Sequence, residues 1–297
     1  MSDLPDPSDS TPKNARSLRG AEFKRLLGSR KAWLWIGGIA VVLGIAAGRG
    51  APALGLVYAG IVVLIGLVVL FWIAGSRARN RFWEVYAESR GLELGGRTQL
   101  APATPFLRQG KDRYATRTLS GQIAPGIVGE IGLFTYEETV VGDDGTPETK
   151  YYKFTFGMAE VRECAAHMPE LYVKRKVGLR ALEKLEDAFR TGKRRVTLES
   201  EALADRYEIF VGKEQDEIWT RRLFSPSFIV WLTEVPLGKF GFELVDGTLV
   251  AFIPDHKEDI ATLDRMAAAT AAVAQRLLQE SAETSPRRAD EGEPSKA

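Results

Sequence analysis

AWLWIGGIAVVLGIAAG, residues 32–48, and ALGLVYAGIVVLIGLVVLFWIAG, residues 53–75, are separated only by Arg49-Gly50-Ala51-Pro52. The second stretch runs 23 residues without a charge, long enough to cross a bilayer core at about 1.5 Å per helical residue. The first, at 17 residues, sits at the lower limit, and Trp33 and Trp35 suit the membrane interface at its start. The pair predicts two transmembrane helices, 32–48 and 53–75, folded as a hairpin that anchors the rest of the chain. A cleaved signal peptide fits the first stretch poorly, because some thirty residues precede it and a second apolar run follows at once.

Orientation is read from the flanks. Lys24, Arg25, Arg30 and Lys31 precede the first span, and Arg77, Arg79 and Arg81 follow the second, whereas the connector holds only Arg49. By the positive-inside rule both termini are expected in the cytoplasm of a multi-pass inner-membrane protein. Ala40, Gly44 and Gly48 recur every four residues on one face of the first helix, and Gly55 and Ala59 do so on the second. Small residues at this spacing let helices approach closely in lipid, either within the hairpin or between two copies. Neither span holds Asp, Glu, Lys or His, which argues against a proton relay, a transporter or an ion path.

Residues 1–31 read as a basic tail, disordered in its Ser-, Pro- and Asp-rich first part, and 284–297 read as a second disordered tail. Residues 76–90 predict a juxtamembrane helix with Phe82, Tyr86 and Ser89 on one face and Gly91 as its C-cap. From 91 to 283 the pattern predicts one cytoplasmic α+β domain. Strands are expected at Tyr114–Ile123, Ile127–Val141, Lys150–Met158, Leu171–Val177, Arg195–Leu198, Tyr207–Val211, Lys239–Val245 and Thr248–Ile253. Asp246-Gly247 is the strongest short hairpin signal in the chain. Helices are expected at Leu179–Arg190, Asp216–Leu223, Ser225–Leu232 and Lys257–Glu280, with Ser225-Pro226 as N-cap and N1, and Asp255 with Glu258 at the start of the last. Hairpin-connected strands with inserted helices give an antiparallel sheet with packed helices rather than a parallel α/β sheet.

Chemistry-bearing residues are few. Cys164 and His167 lie three apart, but only His256 remains as a further soft or imidazole ligand, and a closed metal site needs four. Gly121–Gly126 lacks the lysine and hydroxyl ending of a phosphate loop and reads as a strand-to-strand turn. Asp143 and Asp144 fit a turn, and Glu137 and Glu138 fit a strand. With a net charge of +1, and with Lys174–Lys176 and Lys193–Arg195 short and free of interleaved aromatics, no nucleic-acid partner is expected. Such basic clusters suit solvated faces or lipid headgroups. Trp219, Phe224, Phe228 and Trp231 belong to an aromatic cluster that is either core or an interaction surface.

Leu198-Glu199-Ser200, Arg206–Ile209, Leu223–Phe228, Trp231-Leu232, Phe242-Glu243 and Gly247–Leu249 are similar to words found in a family of bacterial membrane proteins called domain of unknown function 3137. The resemblance implies two N-terminal spans followed by a cytoplasmic α+β domain, and it carries no catalytic residues. The preferred reading is a non-enzymatic binding, scaffold or regulatory module at the inner membrane face, without a cofactor or metal. Its expected partners are the lipid bilayer and a protein, the latter through another chain or self-association. The alternative is a membrane-tethered enzyme using Cys164 and His167.

Overall fold

The computed structural model describes residues 15–48, 52–142, 145–176 and 192–284. The chain forms two compact units, Met1–Arg90 with Glu258–Ile260, and Gly91–Lys257 with Ala261–Ala297.

The first unit holds three helices: α1 (Ala15–Leu27), α2 (Arg30–Gly48) and α3 (Pro52–Arg90). The expected second span and the juxtamembrane helix are one uninterrupted helix of 39 residues. Nothing between Gly75 and Arg90 breaks it, since Ala, Arg, Glu and aromatics carry the pattern through. Gly91, at φ 64, ends it. The polar tail expected before the first span is corrected at its end, where Ala15–Leu27 is helical. This short helix gains its stability from packing rather than from its own periodicity. The Arg19 guanidinium lies 3.7 Å above the Phe71 ring, and Phe23 meets Phe71 edge-on at 5.3 Å. The Trp33 indole N–H donates to the Leu27 carbonyl at 2.7 Å and fixes the corner between α1 and α2.

The second unit is α+β, built on a nine-stranded antiparallel sheet. Its strands are β1 (Glu93–Gly95), β2 (Arg113–Ala124), β3 (Ile127–Val141), β4 (Pro147–Glu160), β5 (Glu170–Arg175), β6 (Lys193–Val196), β7 (Tyr207–Gly212), β8 (Gly241–Val245) and β9 (Thr248–Pro254). They are ordered β1-β2-β3-β4-β9-β8-β5-β7-β6. The helices are α4 (Glu201–Arg206), α5 (Glu217–Leu223), α6 (Pro226–Glu234) and α7 (Ile260–Thr284). Local chemistry sets their ends. Ser200, Asp216 and Ser225 each accept a backbone N–H as N-cap, and Pro226 opens α6. Asp246 and Gly247, at φ 47 and 82, make the two-residue β8–β9 turn, both in the left-handed region that a type I′ hairpin requires. The sheet ends on two short strands, and the outer one on the β6 side is charged, which protects both edges against further pairing.

Alternation along the strands builds two faces. On one lie Phe134, Tyr136, Phe154, Phe156, Tyr172, Val250 and Phe252, all buried. They are closed by a 3-10 turn at Phe106–Arg108. The Phe106 ring stacks on Phe252 at 4.3 Å and touches Phe154 and Phe134 at 5.0 and 5.2 Å. On the other face, α7 crosses β4 where Gly157 meets Thr270, and the Tyr207 hydroxyl donates to the Leu232 carbonyl of α6. The last helix starts at Ile260, later than expected. Asp255 does not cap it: its N–H donates to the Lys153 carbonyl at 2.8 Å and its own carbonyl accepts the Thr155 hydroxyl at 2.9 Å. The helix expected at Leu179–Arg190, the Asp143-Asp144 turn and the two far tails lie outside the described residues.

One buried carboxyl holds the closing turn. Glu243 of β8 accepts the Phe106 N–H at 2.9 Å and is 2% exposed. Burial raises its pKa from 4.5 to about 7, against the lowering effects of the Phe106 N–H, the Thr104 hydroxyl, Lys193 and Arg108. Because the folded protein holds this proton at a higher pH than the unfolded chain does, the stability it contributes is complete at low pH. That stability declines as pH rises from about 4.5 to about 7. Glu243→Gln keeps the acceptor and removes the titration. Denaturant melts of both proteins between about pH 4 and about pH 8 are expected to show the variant gaining about 3 kcal/mol on the wild type across that range. Parallel curves would contradict the buried proton.

Candidate functional site

In the first unit the candidate site is the paired helices α2 and α3 and the surface they present. Small residues let the two backbones meet. A Cβ placed on Gly44 would lie 3.2 Å from the Gly55 carbonyl oxygen and 3.4 Å from the Ala59 Cβ. One placed on Gly66 would strike Ile36 at 2.9 Å. Ala40 and Gly55 are buried in the same seam. Gly48 closes α2, and its side-chain surroundings lie outside the described residues. The two contacts pair residue 44 with 55 and residue 36 with 66, so the helices run antiparallel. That places Trp33, Trp35 and Trp72 toward one end, beside Arg30, Lys31 and Arg77.

The outward faces of these helices are apolar and bare: Leu34 and Trp35 are each 75% exposed, Leu56 is 78% and Trp72 is 71%. α3 is long and apolar enough to cross a membrane, with a mean hydropathy of 2.8 in its most apolar window. α2 is apolar over the shorter Trp33–Ala47.

The residues considered for catalysis are not gathered. Cys164 is the buried end of an otherwise exposed 3-10 turn, and burial, with Glu163 adding to it, pushes its thiol up to about 12. A nucleophilic cysteine needs the opposite shift. The His167 ring stacks on Trp219 at 5.2 Å between centroids. His256 is far along the chain, with its Nε2 3.1 Å from both the Thr135 hydroxyl and the Phe134 carbonyl. Among the described residues no group of three or more His, Cys, Asp or Glu could hold a metal ion.

The aromatic cluster considered as an interaction surface is core. Trp219, Phe224 and Phe228 are buried and Trp231 is half-buried. Phe224, Phe228, Trp231, Phe240 and Phe242 form a continuous chain of ring contacts, 5.3 to 6.3 Å apart, under α6. Four of the six basic residues in these clusters pair with carboxylates within the fold. Lys193 pairs with Glu170, Lys174 and Arg195 with Glu208, and Arg194 with Glu217.

A cleft of about 1010 Å³ was not foreseen from the sequence. It is bounded by the free end of β4 (Thr149–Phe154), the loop Pro236–Lys239, the end of β9 and the start of α7. Its lining carries five cations and one carboxylate, Asp255. These residues are spread over more than a hundred positions, so no local motif announces them.

No family model and no curated protein matches the sequence. Among solved structures, the chain is similar to the crystal structure of the mycobacterial trehalose monomycolate transport factor A, TtfA. The TM-score is 0.45 at 12% identity, over 69% of this chain and 96% of that one.

The seam between α2 and α3 has a direct test. With Cβ atoms 3.4 Å apart, cysteines replacing Gly44 and Ala59 stand close to disulfide reach. Mild oxidation of the double variant is expected to give a disulfide within one chain, seen as lost thiols at monomer mass. A dimer on non-reducing gels would instead assign the seam to an intermolecular contact.

Proposed function

We propose that this protein is a membrane-anchored binding module, in which α2 and α3 cross the bilayer as a hairpin and the α+β unit is presented at the cytoplasmic face. The observation that carries the reading is the bare apolar exterior of a helix pair whose interior seam is already filled. In water, side chains such as Leu34, Val42, Leu56 and Leu64 would leave a continuous apolar surface far larger than soluble proteins tolerate. In lipid the same surface is solvated, and both helices satisfy their backbone groups internally.

The shorter α2 spans with its partner because the full helix, 19 residues or about 28 Å, approaches the core thickness. Arg30 and Lys31 at its start extend toward the headgroups. Three tryptophans toward that end, with the basic residues beside them, match an interfacial aromatic belt on the positive side. A binding rather than catalytic role is favoured by a buried, strongly protonated Cys164 and by a large basic cleft in the folded unit.

The test uses full-length protein in bacterial membranes. It is expected to stay in the pellet after alkaline carbonate washing. A cysteine replacing Ala51 should react with an impermeant maleimide from outside the cell, while one replacing Ser2 should react only after lysis. Release by carbonate, or labelling at position 2 in intact cells, would contradict the reading.

A further inference from the structure

We infer that the cleft beside the free end of β4 is a binding site for a phosphate-bearing ligand; this deepens the binding role proposed above by naming its ligand class. Lys150, Lys153, Lys239, Lys257 and Arg265 are among its lining residues, with Asp255 the one carboxylate among them. A cavity of about 1010 Å³ matches the size of small-molecule sites, so it holds a phosphate ester with its organic portion, not just an ion. Lysine ammoniums are compact point charges that serve phosphate well, and the added arginine offers a bidentate fork. Tyr151, 57% exposed on the same rim, presents a ring for the organic part.

The backbone of the cleft is built rather than incidental. β4 pairs with β3 along its length but with β9 only from Phe154 onward. Among the described strands, therefore, none pairs with Thr149–Tyr151 on the β9 side. The β9–α7 link is held against β4 by the Asp255 N–H on the Lys153 carbonyl and by the Lys257 N–H on the Thr155 hydroxyl, at 2.8 and 2.9 Å. Among the described residues only three other than glycine adopt a positive φ, and two of them, Lys239 at 59 and Asp255 at 68, line this cleft. Backbone strain of this kind persists where surrounding structure imposes it, and it gathers at ligand sites. Lys257 pairs with Asp255 at 3.4 Å, and the lining holds five cations to this one carboxylate.

The experiment uses the full chain in phosphatidylcholine nanodiscs and inorganic pyrophosphate as the probe, titrated by calorimetry. The combined variant Lys153→Gln, Lys257→Gln and Arg265→Gln is expected to bind at least about tenfold more weakly, with an unchanged melting curve. Lys213→Gln, a surface lysine outside the cleft, is expected to bind as the wild type. Vesicles of phosphatidylcholine with phosphatidic acid form a competing arm. Competition assigns the site to a lipid phosphate and its absence to a soluble phosphate ester, and either supports the inference. Pyrophosphate that fails to bind, or binds equally to the combined variant, overturns it. So does a polyglutamate peptide that binds more tightly than pyrophosphate and is lost in the combined variant. Carbonate extraction of the same variant reads the anchor separately, so loss of binding with retained insertion rejects the cleft assignment alone.

Discussion

The arrangement of the first unit depends on what solvates the outside of α2 and α3. Their seam uses Gly44, Gly55, Gly66 and Ala59 to bring two helices close enough that each covers the other's small-residue face. Many of the large apolar side chains, among them Leu34, Val42, Leu56 and Leu64, are turned outward, while Ile36 fills the seam against Gly66. In water that arrangement is upside down, because the small groups are hidden and the large ones are bare. In a bilayer it is the expected one, since association there comes from close packing and not from hiding apolar surface. α1 then lies against α3 through Arg19 and Phe23 on Phe71. A guanidinium over an aromatic ring is suited to a boundary between lipid and water, where the cation keeps hydration and the ring does not need it.

The α+β unit follows different rules, and its centre is the contact between a loop and a sheet. Phe106 fills the concave face over Phe134, Phe154 and Phe252, and Glu243 accepts its backbone N–H. A carboxyl so placed is costly when charged, so the closing turn is coupled to protonation near neutral pH. Of the basic clusters read from the sequence as solvated faces or headgroup contacts, Lys174, Lys193, Arg194 and Arg195 pair with Glu208, Glu170 and Glu217. A larger group of cations, five to one carboxylate, lines the cleft by β4.

Much of the fold was legible because its signals are local. Alternation in β3 and β4, the Asp246-Gly247 turn and the Ser225 cap with Pro226 behind it each act within a few residues, and the structure places them as read; Ser200 and Asp216 prove to be caps as well, a role not assigned to them from the sequence. Of the small residues read from the sequence, Gly44, Gly55 and Ala59 meet between α2 and α3, whereas Gly66 was not among them. What escaped depends on contacts between distant segments. α1 carries too few apolar residues to declare itself, and its partners, Phe71 some fifty positions on among them, come from other helices. The sheet order pairs β4 with β9, nearly a hundred residues apart, and no hairpin signal encodes that. Glu243 looked like an ordinary strand carboxylate until the Phe106 turn covered it. The cleft cations become neighbours only after the sheet closes. The aromatic cluster was open to two readings because composition does not distinguish a core from a surface, and burial decides it as core.

The most direct measurement of the central claim is the solvent around the outer helix faces. Spin labels on cysteines replacing Leu43 and Leu64, in full-length protein reconstituted into vesicles, should collide often with dissolved oxygen and rarely with a water-soluble nickel chelate. The reverse ratio at both positions, with the chelate colliding more often than oxygen, would show water where the account requires hydrocarbon.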